Sequence, residues 1–144
     1  MKKIAIAADH AGYEMKEFLV GYLSSLGWDV FDFGCHSEES CDYPDMGHQL
    51  AEAVAKGEFE RGISVCGSGV GISMVVNRHA GVRGALCWEP EIARLCREHN
   101  DANVLCLPGR FMENAAARQC VDIFLETPFE GGRHQRRVEK IELA

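Results

Sequence analysis

Ile63-Ser64-Val65-Cys66-Gly67-Ser68-Gly69-Val70-Gly71-Ile72-Ser73 is the stretch that decides the fold. The apolar run Arg61–Cys66 reads as a buried strand ending in a cysteine, and alternating glycines then make a tight turn. From Ile72 to Arg78 the pattern becomes helical. Strand, turn and helix in this order place a thiol at a helix N-terminus, where free backbone N–H groups attract negative charge and favour a thiolate. Three glycines directly after the strand favour close approach of the backbone to a ligand over a purely structural turn. The turn is not the dinucleotide fingerprint, which needs glycine where Ile72 stands and opens the first strand rather than the third. No Gly-Lys-Ser/Thr follows, so it is not a P-loop. A Cys-x5-Arg phosphatase loop fails at Ile72 as well.

Working outward, short β-like runs alternate with amphipathic stretches. Strands are expected at Lys3–Ala8, Trp28–Phe33, Arg61–Cys66, Val82–Cys87 and Asn103–Leu107. Helices are expected at Tyr13–Leu26, from Tyr43-Pro44 to Lys56, at Ile72–Arg78, from about Pro90 to Glu98, at Glu113–Leu125 and at Arg133–Ile141. In the first helix, Phe18, Leu19, Tyr22, Leu23 and Leu26 share a face, and Gly27 ends it. Regular strand–helix alternation means parallel strands with right-handed crossovers. The expected fold is α/β, a three-layer α/β/α sandwich with a mostly parallel five-stranded sheet. The strand order is not legible. No linker, repeat or low-complexity segment interrupts the chain, so its 144 residues are read as one domain.

Composition narrows the function. A net charge of −7 argues against non-specific nucleic-acid binding, which needs a broad basic surface. No apolar run reaches the roughly 18 residues that span a bilayer. The apolar run after Met1-Lys2-Lys3 is too short for a signal-peptide core, so the expected location is cytoplasmic. Seven scattered cysteines, with no Cys-x-x-Cys, suggest free thiols. Cys87, Cys106 and Cys120 lie in apolar segments and read as small core residues. Cys35, His36, Cys41 and His48 fit no common zinc spacing, so no metal is expected. Whether Cys35 and Cys41, in a polar loop, are oxidation-sensitive stays open.

Ligands of open α/β sheets bind at the carboxyl ends of the strands. Asp9-His10, Cys66–Gly71 and the loop before Tyr43 stand there, and Arg110 follows the fifth strand. Asp9 could be a plain helix cap, but its strand-end position favours a site. His99-Asn100-Asp101 precedes the fifth strand and so belongs at the opposite end of the same sheet. Arg133 and Arg137 are four apart on one helix face, with His134 and Arg136 nearby, a pattern suited to a phosphate. Tyr43 and Arg110 alone are unremarkable.

Taken together, Asp9-His10-Ala11-Gly12, Asp42-Tyr43-Pro44, Cys66–Ile72, Glu98–Asn103, Arg110 and Gly131–Val138 resemble the ribose/galactose isomerase family over essentially the whole chain. The resemblance implies a Rossmann-like sandwich and a homodimer whose sites are shared between subunits, with pairing into tetramers open. A partner could then bring His99 to the far end of the sheet. It implies a cofactor-free aldose–ketose isomerase of the pentose phosphate pathway, acting on ribose 5-phosphate. By resemblance, Cys66 moves the proton between C2 and C1, and the amides of Gly67, Ser68, Gly69, Val70 and Gly71 hold the enediolate. Ser68 stands where the family usually has threonine and would assist proton movement at the sugar oxygens. His99 would open the ring, aided by Asp9. His10, Arg110, Arg133 and Arg137 would hold the phosphate, Asn100 would contact sugar hydroxyls, and Tyr43 would line the pocket. A sister branch uses a glutamate at the position of Ile72. With Cys66 present and Ile72 apolar, this chain falls in the cysteine branch. The alternatives are a six-carbon phosphosugar (allose or galactose 6-phosphate) and a non-catalytic phosphosugar-binding subunit. A cysteine-based redox or acyl-transfer enzyme lacks a suitably spaced resolving cysteine and ranks last.

Overall fold

The computed structural model describes residues 2–143. In chain order the elements are β1 (Lys3–Ala8), α1 (Tyr13–Ser25), β2 (Asp29–Asp32), α2 (Tyr43–Ala55), β3 (Gly62–Cys66) and α3 (Val70–Val76). They continue with β4 (Gly84–Leu86), α4 (Pro90–Glu98), β5 (Val104–Pro108), α5 (Asn114–Glu126) and α6 (Arg133–Glu139). The five strands form one sheet in the order β2-β1-β3-β5-β4. Every pairing is parallel, as expected for strands joined by helices.

The three central strands are covered on both faces, which is why their sequences are apolar runs rather than alternations. Every residue of β3 and β5 is buried, as is β1 beyond Lys3. Their side chains still alternate between two cores. Ile4, Ile6, Ile63, Val65, Leu105 and Leu107 pack with Leu19 and Leu23 of α1, Cys96 of α4 and Phe124 of α5. Ala5, Ala7, Cys66, Val104 and Cys106 pack with Leu50 and Val54 of α2 and Ile72 and Val76 of α3. Three layers result, with the Cys66 side chain on the α2/α3 face. Among the described residues no helix is long and apolar enough to cross a membrane.

Several boundaries shift from the sequence reading. The edge strands β2 and β4 are shorter than Trp28–Phe33 and Val82–Cys87, because an edge strand has a ladder on one side only. Helix α3 starts at Val70 rather than Ile72, so the glycine turn is tighter than expected. On α1 the buried face is Met15, Lys16, Leu19 and Leu23, whereas Phe18 and Leu26 of the expected face are 37% and 55% exposed. Cys35, expected in an open polar loop, is buried, and its thiol donates to the Ser37 carbonyl at 3.3 Å.

Lys16 escapes any apolar-pattern reading. Its side chain is fully buried and its ammonium meets Asp32 at 2.5 Å and Glu17 at 3.1 Å. Desolvation acts against the ammonium, but the hydrogen bonds to Asp32 and Glu17 outweigh it and push its pKa up. Asp32 also accepts from the Gly34 amide at 2.8 Å, so the pair ties α1 to the chain leaving β2. Asp32→Ala leaves this ammonium with one partner. Chemical denaturation should show a loss on the order of 2 kcal/mol. That is below the roughly 3–5 kcal/mol of a fully buried pair, because Glu17 remains. Lys16→Met, which removes the charge, should cost less than Asp32→Ala, and the reverse order would contradict this role.

Candidate active site

At the carboxyl ends of β1, β3 and β5 a cavity of about 550 Å³ opens. It is lined by Asp9, His10, Ala11, Tyr43, Cys66, Gly67, Ser68, Val70, Gly71, Met74, Arg110 and Phe111. The turn after β3 is oriented by its carbonyls. Cys66 O accepts from the Gly109 amide at 2.8 Å, Gly67 O from the Arg110 amide at 3.0 Å, and Gly69 O from the Ser73 amide at 3.1 Å. A peptide N–H points opposite to its own C=O. The amides of Gly67 and Ser68 are therefore turned away from β5 and the loop after it. The Val70 amide donates to Ser68 Oγ at 3.2 Å, which fixes that hydroxyl at the head of α3.

Two glycines explain why the turn needs them. Gly69 has φ +75°, and a Cβ there would run into Leu86 and the backbone of Leu107 and Pro108. A Cβ on Gly71 would lie 2.7 Å from the Tyr43 ring, which packs against the turn. Arg110 stacks along the same turn, its Cδ and guanidinium 3.3 Å from the Cβ position of Gly67. Tyr43 and Arg110, unremarkable in sequence, thus form two walls around Cys66.

Asp9 is a helix cap, its carboxylate accepting from the Gly12 amide at 3.0 Å, and it also lines the cavity. His10 turns Nδ1 toward Cys41, 3.2 Å from its amide and 3.3 Å from its carbonyl. With Nδ1 accepting from that amide, the neutral ring carries its hydrogen on Nε2, where it can serve an anion.

His99, Asn100, Arg133 and Arg137 are not in this cavity. They lie at the amino ends of β4 and β5, roughly 16 Å away by the length of a five-residue strand. His99 stacks on His134 with ring centroids 4.3 Å apart and planes at 12°. Asn100 lines a separate cavity of about 210 Å³ with Asn77, Arg83 and Ala102. Arg133 and Arg137 are exposed on α6. The opposite placement of His99 agrees with the sequence reading. Met74 and Phe111 on the cavity rim were missed. Met74 lies one turn beyond Gly71 on the same face of α3, which helical spacing could have revealed, whereas Phe111 carries no such signal.

A sequence profile of the ribose/galactose isomerase family matches residues 4–141. The chain belongs to that family. It is 48% identical to ribose-5-phosphate isomerase B of Escherichia coli over 98% of this chain and 95% of that protein. A ribose 5-phosphate isomerase from Thermotoga maritima superposes with a TM-score of 0.95 at 50% identity, covering 97% of each chain. A Mycoplasma genitalium ribose-5-phosphate isomerase B, solved with ribulose-5-phosphate bound, gives 0.92 at 41% identity, over 96% of this chain and 93% of that one.

Three of the other thiols, Cys41, Cys106 and Cys120, are poor nucleophiles. Burial pushes Cys106 up to about 12 and Cys120 and Cys41 up to about 11. At pH 7.5 a thiol at 11 is thiolate in on the order of one molecule in several thousand. Iodoacetamide followed by peptide mapping should modify Cys66, which lines the cavity, ahead of Cys41, Cys106 and Cys120. Labelling of Cys41 before Cys66 would contradict this order.

Proposed function

We propose that the chain interconverts ribose 5-phosphate and ribulose 5-phosphate through an enediolate, as a homodimer with two shared active sites. One arrangement supports this reading above all. A thiol, a fixed hydroxyl and backbone amides surround one strand end, in a member of an isomerase family. The exposed rim residues Val70, Met74 and Phe111 are apolar, as expected of a surface that a second copy covers.

His99 from the partner takes the anomeric hydroxyl proton while the ring oxygen gains a proton, which frees the open-chain aldose. Asp9 assists this step or holds the sugar. Cys66 Sγ removes the proton from C2, and the electrons move onto the C1 oxygen. The amides of the Gly67–Gly71 turn stabilise the oxygens where charge develops. Ser68 relays a proton from the C2 hydroxyl toward the C1 oxygen, and Cys66 returns its proton to C1. The product is the ketose, with no net gain or loss of atoms. Tyr43 closes the pocket wall. His10 and Arg110, joined by the partner's copies of Arg133 and Arg137, hold the phosphate. That remote grip positions C1 and C2 against the thiol. The partner's copy of Asn100 contacts the sugar hydroxyls.

Cys66→Ala should lower kcat on ribose 5-phosphate by about 10²–10⁴-fold, the usual worth of a positioned base, with an unchanged circular dichroism spectrum. Near-normal turnover would sink the assignment. Arg137→Ala should raise KM by about 10–100-fold, as expected for losing a charged hydrogen bond, with a smaller change in kcat. Allose 6-phosphate belongs in the same assay. A higher kcat/KM on it would lengthen the substrate by one carbon and leave the chemistry unchanged.

A further inference from the structure

At the far end of the sheet His99 meets Glu130 and His134, two residues that isomerisation does not account for. Glu130 Oε1 lies 3.5 Å from His134 Nε2 and 3.9 Å from His99 Nε2. One ligand atom from each of the three residues falls within 4.8 Å of the others. We propose that His99, Glu130 and His134 bind a transition-metal dication, with Zn²⁺ the best fit, and that the bound ion inhibits the enzyme by withdrawing His99.

Two imidazoles and a carboxylate are a donor set suited to zinc, with a fourth position left for water or a phosphate oxygen. With metal–ligand distances near 2.1 Å, tetrahedral ligand atoms sit roughly 3.3 Å apart. The carboxylate–imidazole separations are already within about 0.6 Å of that. The frame behind the ligands is fixed. The Glu130 amide donates to the Glu98 carbonyl at 3.1 Å, next to His99. Arg97 Nε donates to the Thr127 carbonyl at 3.1 Å, which pins the segment leading to Glu130.

His134 is buried, with only 10% of its side chain exposed, and holds its place. Two parallel rings cannot both aim a nitrogen lone pair at one ion. His99, 39% exposed, is the ring free to turn about χ2 and complete the site. Arg133 and Arg137 stand close enough to His134 to oppose a dication, so micromolar rather than nanomolar binding is expected. The inhibition rests on the ring-opening role proposed for His99, whereas the binding does not.

The test uses the full chain and zinc chloride, with affinity read by competition against a chromophoric chelator. Binding of one Zn²⁺ per chain is expected, weakened tenfold or more in Glu130→Gln and in His134→Gln. Glu130 is half exposed, so Glu130→Gln keeps the test valid if His134→Gln fails to fold. Co²⁺ should bind without the thiolate-to-metal charge-transfer band that a Cys66 site would give. Zinc should slow wild-type turnover of ribose 5-phosphate, EDTA should restore it, and Glu130→Gln should keep its turnover in zinc. Absent binding, or binding unchanged in both variants, overturns the site. Inhibition that persists in Glu130→Gln places the metal on Cys66 and overturns the proposed inhibition. Binding at the cluster without inhibition of an active enzyme overturns the withdrawal of His99. Zinc binding by a protein inactive on every phosphosugar supports the site and counts against the isomerase reading alone.

Discussion

Parallel pairing of β3 between β1 and β5 is the constraint on which the rest depends. It gives the three central strands one polarity, so Asp9, Cys66 and the turn before Arg110 emerge at a single end of the sheet. The register couples them closely, with Ala8 beside Val65 and Cys66 beside Pro108. The backbone continues that coupling past the strands. Asp9 N donates to Val65 O, and Gly109 N to Cys66 O. Three loops of remote sequence origin are thereby held as one rigid rim around the thiol. Catalysis by positioned groups needs such rigidity, because a base misplaced by an ångström loses much of its effect.

The same polarity leaves the remaining candidate residues away from the cavity. The chain segments entering β4 and β5 leave His99 and Asn100 at the amino ends, and α6 adds Arg133 and Arg137 on the same side. A single copy therefore carries the proposed base, Cys66, at one end and His99, proposed to open the ring, with Arg133 and Arg137 at the other. In the proposed dimer, two copies would be packed so that each supplies the other's missing end. An isologous two-fold contact does that with one surface and yields two equivalent sites. The apolar rim of Met74 and Phe111 lies where such a contact would close.

Much of the fold was legible because parallel central strands are apolar on both faces and helices are not. β1 and α4 fall where the sequence places them, whereas β2 and β4 shrink because single-sided pairing does not show in composition. Lys16 was invisible, since a buried ammonium is defined by partners sixteen positions away and next door rather than by periodicity. At the site, Cys66 and the glycines announce themselves by position. Tyr43 and Arg110 do not, because their roles come from packing on Gly71 and Gly67. The pairing of His99 with His134 and Glu130 was also hidden, since it joins the end of α4 to the start of α6 through a bend that no local pattern encodes.

Mixing two inactive variants tests the shared site most directly. Cys66→Ala and His99→Asn would be purified separately, unfolded together and refolded as a mixture. If each site takes Cys66 from one copy and His99 from the other, half the dimers are mixed and each regains one complete site. The mixture should then recover about a quarter of wild-type activity from two nearly inactive parents. Activity no higher than that of the parents, in a mixture shown to contain the mixed dimer, would contradict a site built across two copies.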